Sequence, residues 1–284
     1  MEQRALHPEF GVELRGIDLR AVTAETLYPD IRAAFEAHSL LLVRGQDWTD
    51  ADILRFGRLF GPVENRTDGP DHVSLVSNVK ADGSVLLPDA QRVKDLQANM
   101  LWHTDSTFLP VPALANIITA RVVPSARGAT ELVSTRAGLS RLTDHQRAAL
   151  RRGVRHRLSH SRQKVDPELA KAAHIVKWTE QVWRGLWPNP VLGCESVYIA
   201  SHACGIEGMA DADAQGLIDE VIAALTVPEA VYSHEWQVGD VLIWDERATL
   251  HRGMPWDYAE ARTLASICVS AGPVDGLEAM RVQG

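Results

Sequence analysis

The segment Trp102-His103-Thr104-Asp105-Ser106 and the distant Trp244-Asp245-Glu246-Arg247-Ala248-Thr249-Leu250-His251-Arg252 constrain the fold of this chain more than any other feature. Residues two apart in an extended segment point to the same side, so His103 and Asp105 can address a single point. If the fold brings His251 there too, two imidazoles and one carboxylate share one face of a metal ion. The opposite positions then stay open. Open positions are where an oxidant, a co-substrate and O₂ can be brought together.

An HxD triplet alone fits equally well a strand edge with a solvated aspartate, so order and context carry the reading. Thr130 opens the extended run Thr130-Glu131-Leu132-Val133-Ser134. A later strand, Asp240 to Asp245, delivers His251 after a short turn. Glu260 to Val269 then reads as a strand with Arg262 near its start. Further motifs are Leu41-Leu42-Val43-Arg44-Gly45-Gln46, Phe56-Gly57-Arg58-Leu59-Phe60-Gly61-Pro62 and Asn99-Met100-Leu101 ahead of the triplet, with Trp236-Gln237-Val238-Gly239-Asp240 before the late strand. In these motifs and their order, from about Leu6 to about Val269, the chain resembles the taurine dioxygenase family of Fe(II)/α-ketoglutarate-dependent dioxygenases. Within that family it is most similar to the branch of phenoxyacetate-herbicide (aryloxyalkanoate) dioxygenases.

The resemblance implies that His103, Asp105 and His251 hold Fe(II), with α-ketoglutarate (2-oxoglutarate) and O₂ as co-substrates. It implies that Arg262 and Thr130 hold the distal carboxylate of the keto acid, a task suited to a guanidinium that pairs bidentately. Trp244 would line the same pocket, although routine strand packing explains Thr130 and Trp244 as well. Asn99, His202 and Ser266 fall at positions that face substrate, and His202 also fits a buried structural histidine. The reaction implied is hydroxylation of a small organic molecule with release of succinate and CO₂, an aryloxyalkanoate that falls apart after hydroxylation being one candidate. A sulfonate or alkyl-sulfate dioxygenase, a non-catalytic metal-binding sensor and a zinc hydrolase stay open, because zinc accepts the same ligands. Asp105 favours hydroxylation over halogenation, since halogenases of related fold place halide where this carboxylate stands.

The chain departs from the family where it meets substrate. A second arginine, four residues beyond the first, is expected to clamp an anionic substrate, and Ser266 stands there. Trp187-Pro188-Asn189-Pro190-Val191 replaces an Arg-Thr-His segment, and Arg127-Gly128-Ala129-Thr130 replaces a Gly-Gly-Asp-Thr turn. Lys80, Lys94, Arg162 and Lys164 are the cations nearby in sequence that could substitute for the missing arginine. Trp178, Trp183 and Trp187 hint at an aromatic or apolar substrate, with core packing explaining most of the tryptophans equally well.

Composition sets the outer bounds. At 284 residues with 45% hydrophobic and 23% charged residues, the chain can bury a large core as one domain, residues 1–284. A net charge of −8 argues against nucleic acid, and the arginines from Arg147 to Arg157 read as the solvated face of a helix. Cys194, Cys204 and Cys268 lack metal or disulfide spacing, and no signal-like stretch opens the chain, so a cytoplasmic protein is expected. A homo-oligomer is compatible with all of this; a membrane span is not.

Helices are expected over Ala24 to His38, from Thr49 to Gly61, from a Thr143/Gln146 capping box to Gly153, and through Leu217 to Leu225. Short apolar runs at Leu40 to Val43, Asn116 to Val123, Thr130 to Ser134 and Val197 to Ala200 add strands to the two late ones. Strands and helices without regular βα alternation predict an α+β jelly roll, which the resemblance sharpens to a double-stranded β-helix core flanked by helices. Glu64 to Gln97 and Ser159 to Asn189 read as long lid loops.

Overall fold

A continuous run of branched apolar residues is stable as a strand when both of its faces are covered, and three such runs lie side by side here. Leu40–Val43 and Val241–Asp245 are buried at every position, and Ala113–Val122 at all but its last two. In the computed structural model, which describes residues 1–67, 69–87 and 90–282, these runs form the centre of a seven-stranded sheet. Its order is Glu2–Ala5, Val12–Arg15, Leu40–Val43, Val241–Asp245, Ala113–Val122, Thr263–Ser270 and Ser74–Ser77. The pairings are antiparallel except between Val12–Arg15 and Leu40–Val43, which run parallel.

Alternate residues of the same strands serve two different cores. Leu41, Val43, Ile117 and Ile243 pack against Ile31 and Phe35 of the helix Tyr28–His38 and Ile53 and Phe56 of the helix Asp50–Phe60. Their neighbours Leu40, Leu42, Ile118, Leu242 and Trp244 pack with Leu132 on the other face. Leu132 belongs to a three-stranded antiparallel sheet ordered Tyr232–His234, Thr130–Ser134, Thr249–Gly253. The functional residues named from the sequence lie in and around the space between these two sheets. A third apolar cluster joins the helix Asp211–Leu225 to the sheet Ala203–Ile206, Gly153–His156, Gln181–Arg184.

Helix signals in the sequence are met at their caps and revised at their ends. The expected Thr143–Gln146 capping box forms, and Thr49 forms a second one with Asp52. The first helix starts at Tyr28 rather than Ala24, with Pro29 in its first turn, where a missing N–H costs nothing. The third ends at Leu150 rather than Gly153, because Gly153 opens a strand that buries Val154 and His156. The arginines beyond Leu150 therefore do not share a helix face. Arg151 pairs with Glu195 (2.7 Å), Arg155 with Asp211 (2.6 Å) and Arg157 with Glu180 (2.7 Å). The strand expected over Val197 to Ala200 lies at Cys194–Val197, where it pairs with Leu186–Asn189.

The two polar stretches carry more regular structure than expected. The described part of Glu64 to Gln97 contains the strand Ser74–Ser77 and most of the helix Gln91–Ala98; Asp68, Pro88 and Asp89 lie outside the described residues. Ser159 to Asn189 holds most of the helix Leu158–Gln163, the helix Ala173–Val176 and the strands Gln181–Arg184 and Leu186–Asn189. Trp183 and Trp187 are buried in those strands, their indole N–H groups donating to the carbonyls of Thr107 and Asp275. They are core residues, as the apolar face of a short strand requires. Among the described residues no helix is long and apolar enough to cross a membrane, and the three cysteines are free.

Candidate active site

Backbone hydrogen bonds close the long loop between the two halves of the site. His103 and His251 form an antiparallel bridge in which each N–H donates to the other's carbonyl, at 3.0 and 2.7 Å. Asp105 follows in a turn rather than in an extended strand, and Ser106 takes a left-handed conformation, φ 61°. The turn still points the Asp105 carboxylate at both rings. Its oxygens lie 3.8 Å from His103 Nε2 and 3.9 Å from His251 Nε2. One donor atom from each of the three residues falls within 4.8 Å of the others.

The protonation pattern suits a metal. His103 Nδ1 donates to the Leu101 carbonyl at 2.6 Å, which leaves the Nε2 lone pair on the Asp105 side. Burial lowers the pKa of both imidazoles, that of His251 to about 3, so both are neutral donors at pH 7. Burial alone would raise the Asp105 carboxyl, but the adjoining imidazoles, the Arg66 guanidinium and the Asn116 amide together hold it below the usual range. Two neutral imidazoles and one carboxylate fit a divalent cation with open positions.

Residues behind the three clustered side chains fix their orientation, and sequence reasoning passed over most of them. Asn116 Nδ2 donates to Asp105 Oδ2 (2.8 Å), and Ser266 Oγ donates to Asn116 Oδ1 (2.8 Å). Glu246 accepts from the Asp105 N–H (2.9 Å), the Thr104 hydroxyl (2.6 Å) and Trp244 Nε1 (2.7 Å). Burial and the Asp105 charge push the Glu246 carboxyl well above its ordinary pKa. The Trp244 ring lies 4.6 Å from that of His251. A lone asparagine inside the apolar run Ala113 to Ile118 was the available signal for Asn116.

A second polar pole stands on the wall that carries Thr130. Arg262 is buried, and its Nη2 donates to the Gly128 carbonyl at 3.0 Å. Its guanidinium lies 4.8 Å from the Trp256 ring, and its Nε is buried without an acceptor. Among the described residues it has no ion pair, and burial lowers its pKa to about 10. A Cβ on Gly128, which sits at φ +70°, would come within 3.3 Å of Arg262 Nε, so this turn presses directly on the arginine. Thr130 Oγ1 accepts from Trp236 Nε1 at 3.0 Å. Arg262, Thr130, Trp244 and the three metal-type residues all line one cavity of about 810 Å³.

Comparison with known proteins decides the family. Residues 2–268 match the taurine catabolism dioxygenase TauD, TfdA family. This chain belongs to that family. It is a non-heme Fe(II)- and 2-oxoglutarate-dependent dioxygenase. It is 33% identical to an (S)-phenoxypropionate/α-ketoglutarate dioxygenase of Delftia acidovorans over 89% of each chain. It is 32% identical to an α-ketoglutarate-dependent 2,4-dichlorophenoxyacetate dioxygenase of Cupriavidus pinatubonensis, over 91% of this chain and 94% of that one. The crystal structure of AAD-2 in complex with Mn(II) and N-oxalylglycine superposes with a TM-score of 0.88 at 29% identity, covering 95% of this chain and 98% of that one. The mixed α/β architecture is therefore that of TauD-family dioxygenases.

The substrate side of the cavity holds the remaining site residues named from the sequence. Asn99 caps the helix Gln91–Ala98 and lines the cavity, while its carbonyl accepts from the Gly253 N–H (2.8 Å). His202 is buried, bonded through Nδ1 to Ser161 Oγ (2.7 Å) and packed edge-on against Phe108, so it is a structural histidine that also faces the cavity. Ser266 lines the cavity with its hydroxyl committed to Asn116. Of the four cations considered from sequence, Arg162 alone reaches the wall. Lys94 pairs with Asp166, and Lys80 and Lys164 are exposed. Of the three tryptophans, Trp178 alone does so.

Proposed function

We propose that this dioxygenase hydroxylates an aryloxyalkanoate at the carbon bearing the ether oxygen. The observation that carries the reading is one cavity holding both a His-Asp-His cluster and a buried arginine without a counter-ion. The similarity to phenoxypropionate and dichlorophenoxyacetate dioxygenases supports the substrate class. The chain forms a single domain in this reading. Its double-stranded β-helix (jelly-roll) core is built from the seven-stranded sheet and the sheet containing Thr130–Ser134, with lid segments over the cavity mouth.

In this assignment His103, Asp105 and His251 hold the metal. When bound, Fe(II) with 2-oxoglutarate supplies the oxidising chemistry, one O₂ being split between succinate and the hydroxylated product as CO₂ leaves. Arg262 takes the distal carboxylate of 2-oxoglutarate with Thr130 beside it. The Asn116 and Glu246 hydrogen bonds keep Asp105 in place, and the Leu101 carbonyl keeps the His103 ring from turning. Trp244 and Trp256 exclude water from the co-substrate end. Hydroxylation beside the ether oxygen gives a hemiketal or hemiacetal, whose collapse releases a phenol and leaves a keto or aldehyde acid.

The test is a panel of phenoxyacetate, both phenoxypropionate enantiomers and octyl sulfate, supplied with Fe(II), 2-oxoglutarate and O₂. Succinate and phenol are expected to appear in equal amounts with at least one aryloxyalkanoate. Succinate at the substrate-free rate with every aryloxyalkanoate would reject the proposal, and turnover of octyl sulfate instead would identify a sulfate-ester dioxygenase. Arg262→Ala is expected to raise the KM for 2-oxoglutarate about thirtyfold, since a charge-assisted pair worth about 2 kcal/mol is lost. An unchanged KM would remove Arg262 from that role.

A further inference from the structure

Arg162, on the helix Leu158–Gln163, is a second guanidinium of the cavity wall, after Arg262, whose Nε is buried with no acceptor. The other basic side chains of the wall are accounted for. Arg66 pairs with Glu64 (2.5 Å), and Arg92 donates to the carbonyls of Ser77 and Leu75 (2.9 and 2.7 Å). Lys177 is exposed and lies over the Trp178 ring, while Arg262 is the residue assigned to the keto acid. Arg162 Nη1 donates only to Ser161 Oγ, at 3.3 Å, and its Nε is buried with no acceptor. Among the described residues it has no ion pair. Asp95, a carboxylate of the neighbouring helix that also lines the cavity, has His174 at 3.9 Å instead.

Its surroundings place it beside the reaction. Ser161, the residue before it, bonds to His202, whose ring stands edge-on to His103 at 6.1 Å. Leu158 of the same helix packs with Phe108 and Ile175, and Trp178 packs against them, which makes an apolar wall next to the guanidinium. Burial pulls the Arg162 pKa below its ordinary value, as expected of a cation whose partner is not in place. A half-buried cation without a partner is unfavourable, and an arriving anion relieves that cost. Ser266 offers no charge, and its hydroxyl is already committed to Asn116.

We propose that Arg162 binds the anionic end of the substrate, with the aryl ring against Phe108, Leu158 and Trp178. This rests on the aryloxyalkanoate reading for the identity of the ring but not for the charge. The two cavity arginines with an unsatisfied buried Nε then divide the anions between them, the keto acid to Arg262 and the substrate to Arg162. Specificity for an organic anion thus comes from a helix outside the sheet rather than from a second arginine on the Thr263–Ser270 strand.

The experiment is equilibrium titration of the protein loaded with Mn(II) and N-oxalylglycine, a complex that does not turn over. The ligands are phenoxyacetate, its neutral methyl ester and octyl sulfate. Arg162→Gln is expected to weaken phenoxyacetate about ten- to thirtyfold, to leave the ester within about twofold of the wild type, and to leave N-oxalylglycine affinity unchanged. Arg162→Lys should fall between the two. Equal phenoxyacetate binding by wild type and Arg162→Gln overturns the assignment, as does a parallel loss of N-oxalylglycine. If the wild type binds octyl sulfate but not phenoxyacetate, and Arg162→Gln loses it, Arg162 keeps its role and the aryloxyalkanoate reading falls. Binding of neither anion by the wild type overturns Arg162 as well.

Discussion

Asp105→Ala is expected to abolish coupled turnover, a loss well beyond the roughly ten- to hundredfold that follows removal of a partner behind a metal ligand. Asp105 is the only anion among the three clustered donors. Without it two neutral imidazoles remain, and a divalent cation loses both a bond and a charge. The substitution also leaves Asn116 Nδ2 with only the Cys268 sulfur, at 3.7 Å, as acceptor and lets the Ser266–Asn116 pair relax. Asn116→Ala keeps all three ligands and should fall in the milder range. Calorimetric titration with Mn(II) and succinate assays on both variants separate a lost ligand from a loosened one. Tight Mn(II) binding with coupled turnover in Asp105→Ala would remove the residue from the site.

Arg247→Met is the substitution expected to hurt the fold most. Arg247 is 1% exposed and bridges two buried carboxylates, reaching Glu36 Oε2 at 2.7 Å and Asp245 Oδ1 at 2.8 Å. It thereby ties the segment between Trp244 and His251 to the helix Tyr28–His38. Methionine fills the volume but leaves both acids buried, and breaking such a cluster on one side is destabilising by about 3–5 kcal/mol. For a chain of this size that lowers Tm by roughly 6–20 °C. Asp245→Asn in the same background should recover part of the loss, because Asp245 pairs with Arg247 while Glu36 keeps Arg32 at 2.7 Å. A Tm within about 2 °C of the wild type would show that the cluster contributes little.

The residues proposed to meet metal and keto acid were legible in the sequence because chemistry fixes their type and order. His103, Asp105, His251, Thr130 and Arg262 all arrive at one cavity. The residues that hold them were not legible, since their bonds cross strands far apart in the chain. Ser266 reads as a residue freed for substrate until its hydroxyl is seen on Asn116, and Glu246 reads as an ordinary acid in a turn until Trp244, Thr104 and Asp105 are seen around it. The apolar runs at Leu40, Asn116 and Asp240 disclosed the central strands because burial on both faces leaves no room for polar residues. The segment Ser159 to Asn189 hid its strands because short edge elements alternate apolar and polar residues too briefly to stand out. Trp183 and Trp187 accordingly looked available to substrate, and they are core.

The central claim, that His103, Asp105 and His251 bind one metal while Arg262 holds the co-substrate, is tested most directly by a crystal structure with Mn(II) and N-oxalylglycine. The account requires His103 Nε2, His251 Nε2 and an Asp105 oxygen on the ion, with the far carboxylate of the keto-acid analogue on Arg262. An ion bound elsewhere, or an analogue whose far carboxylate avoids Arg262, would contradict it.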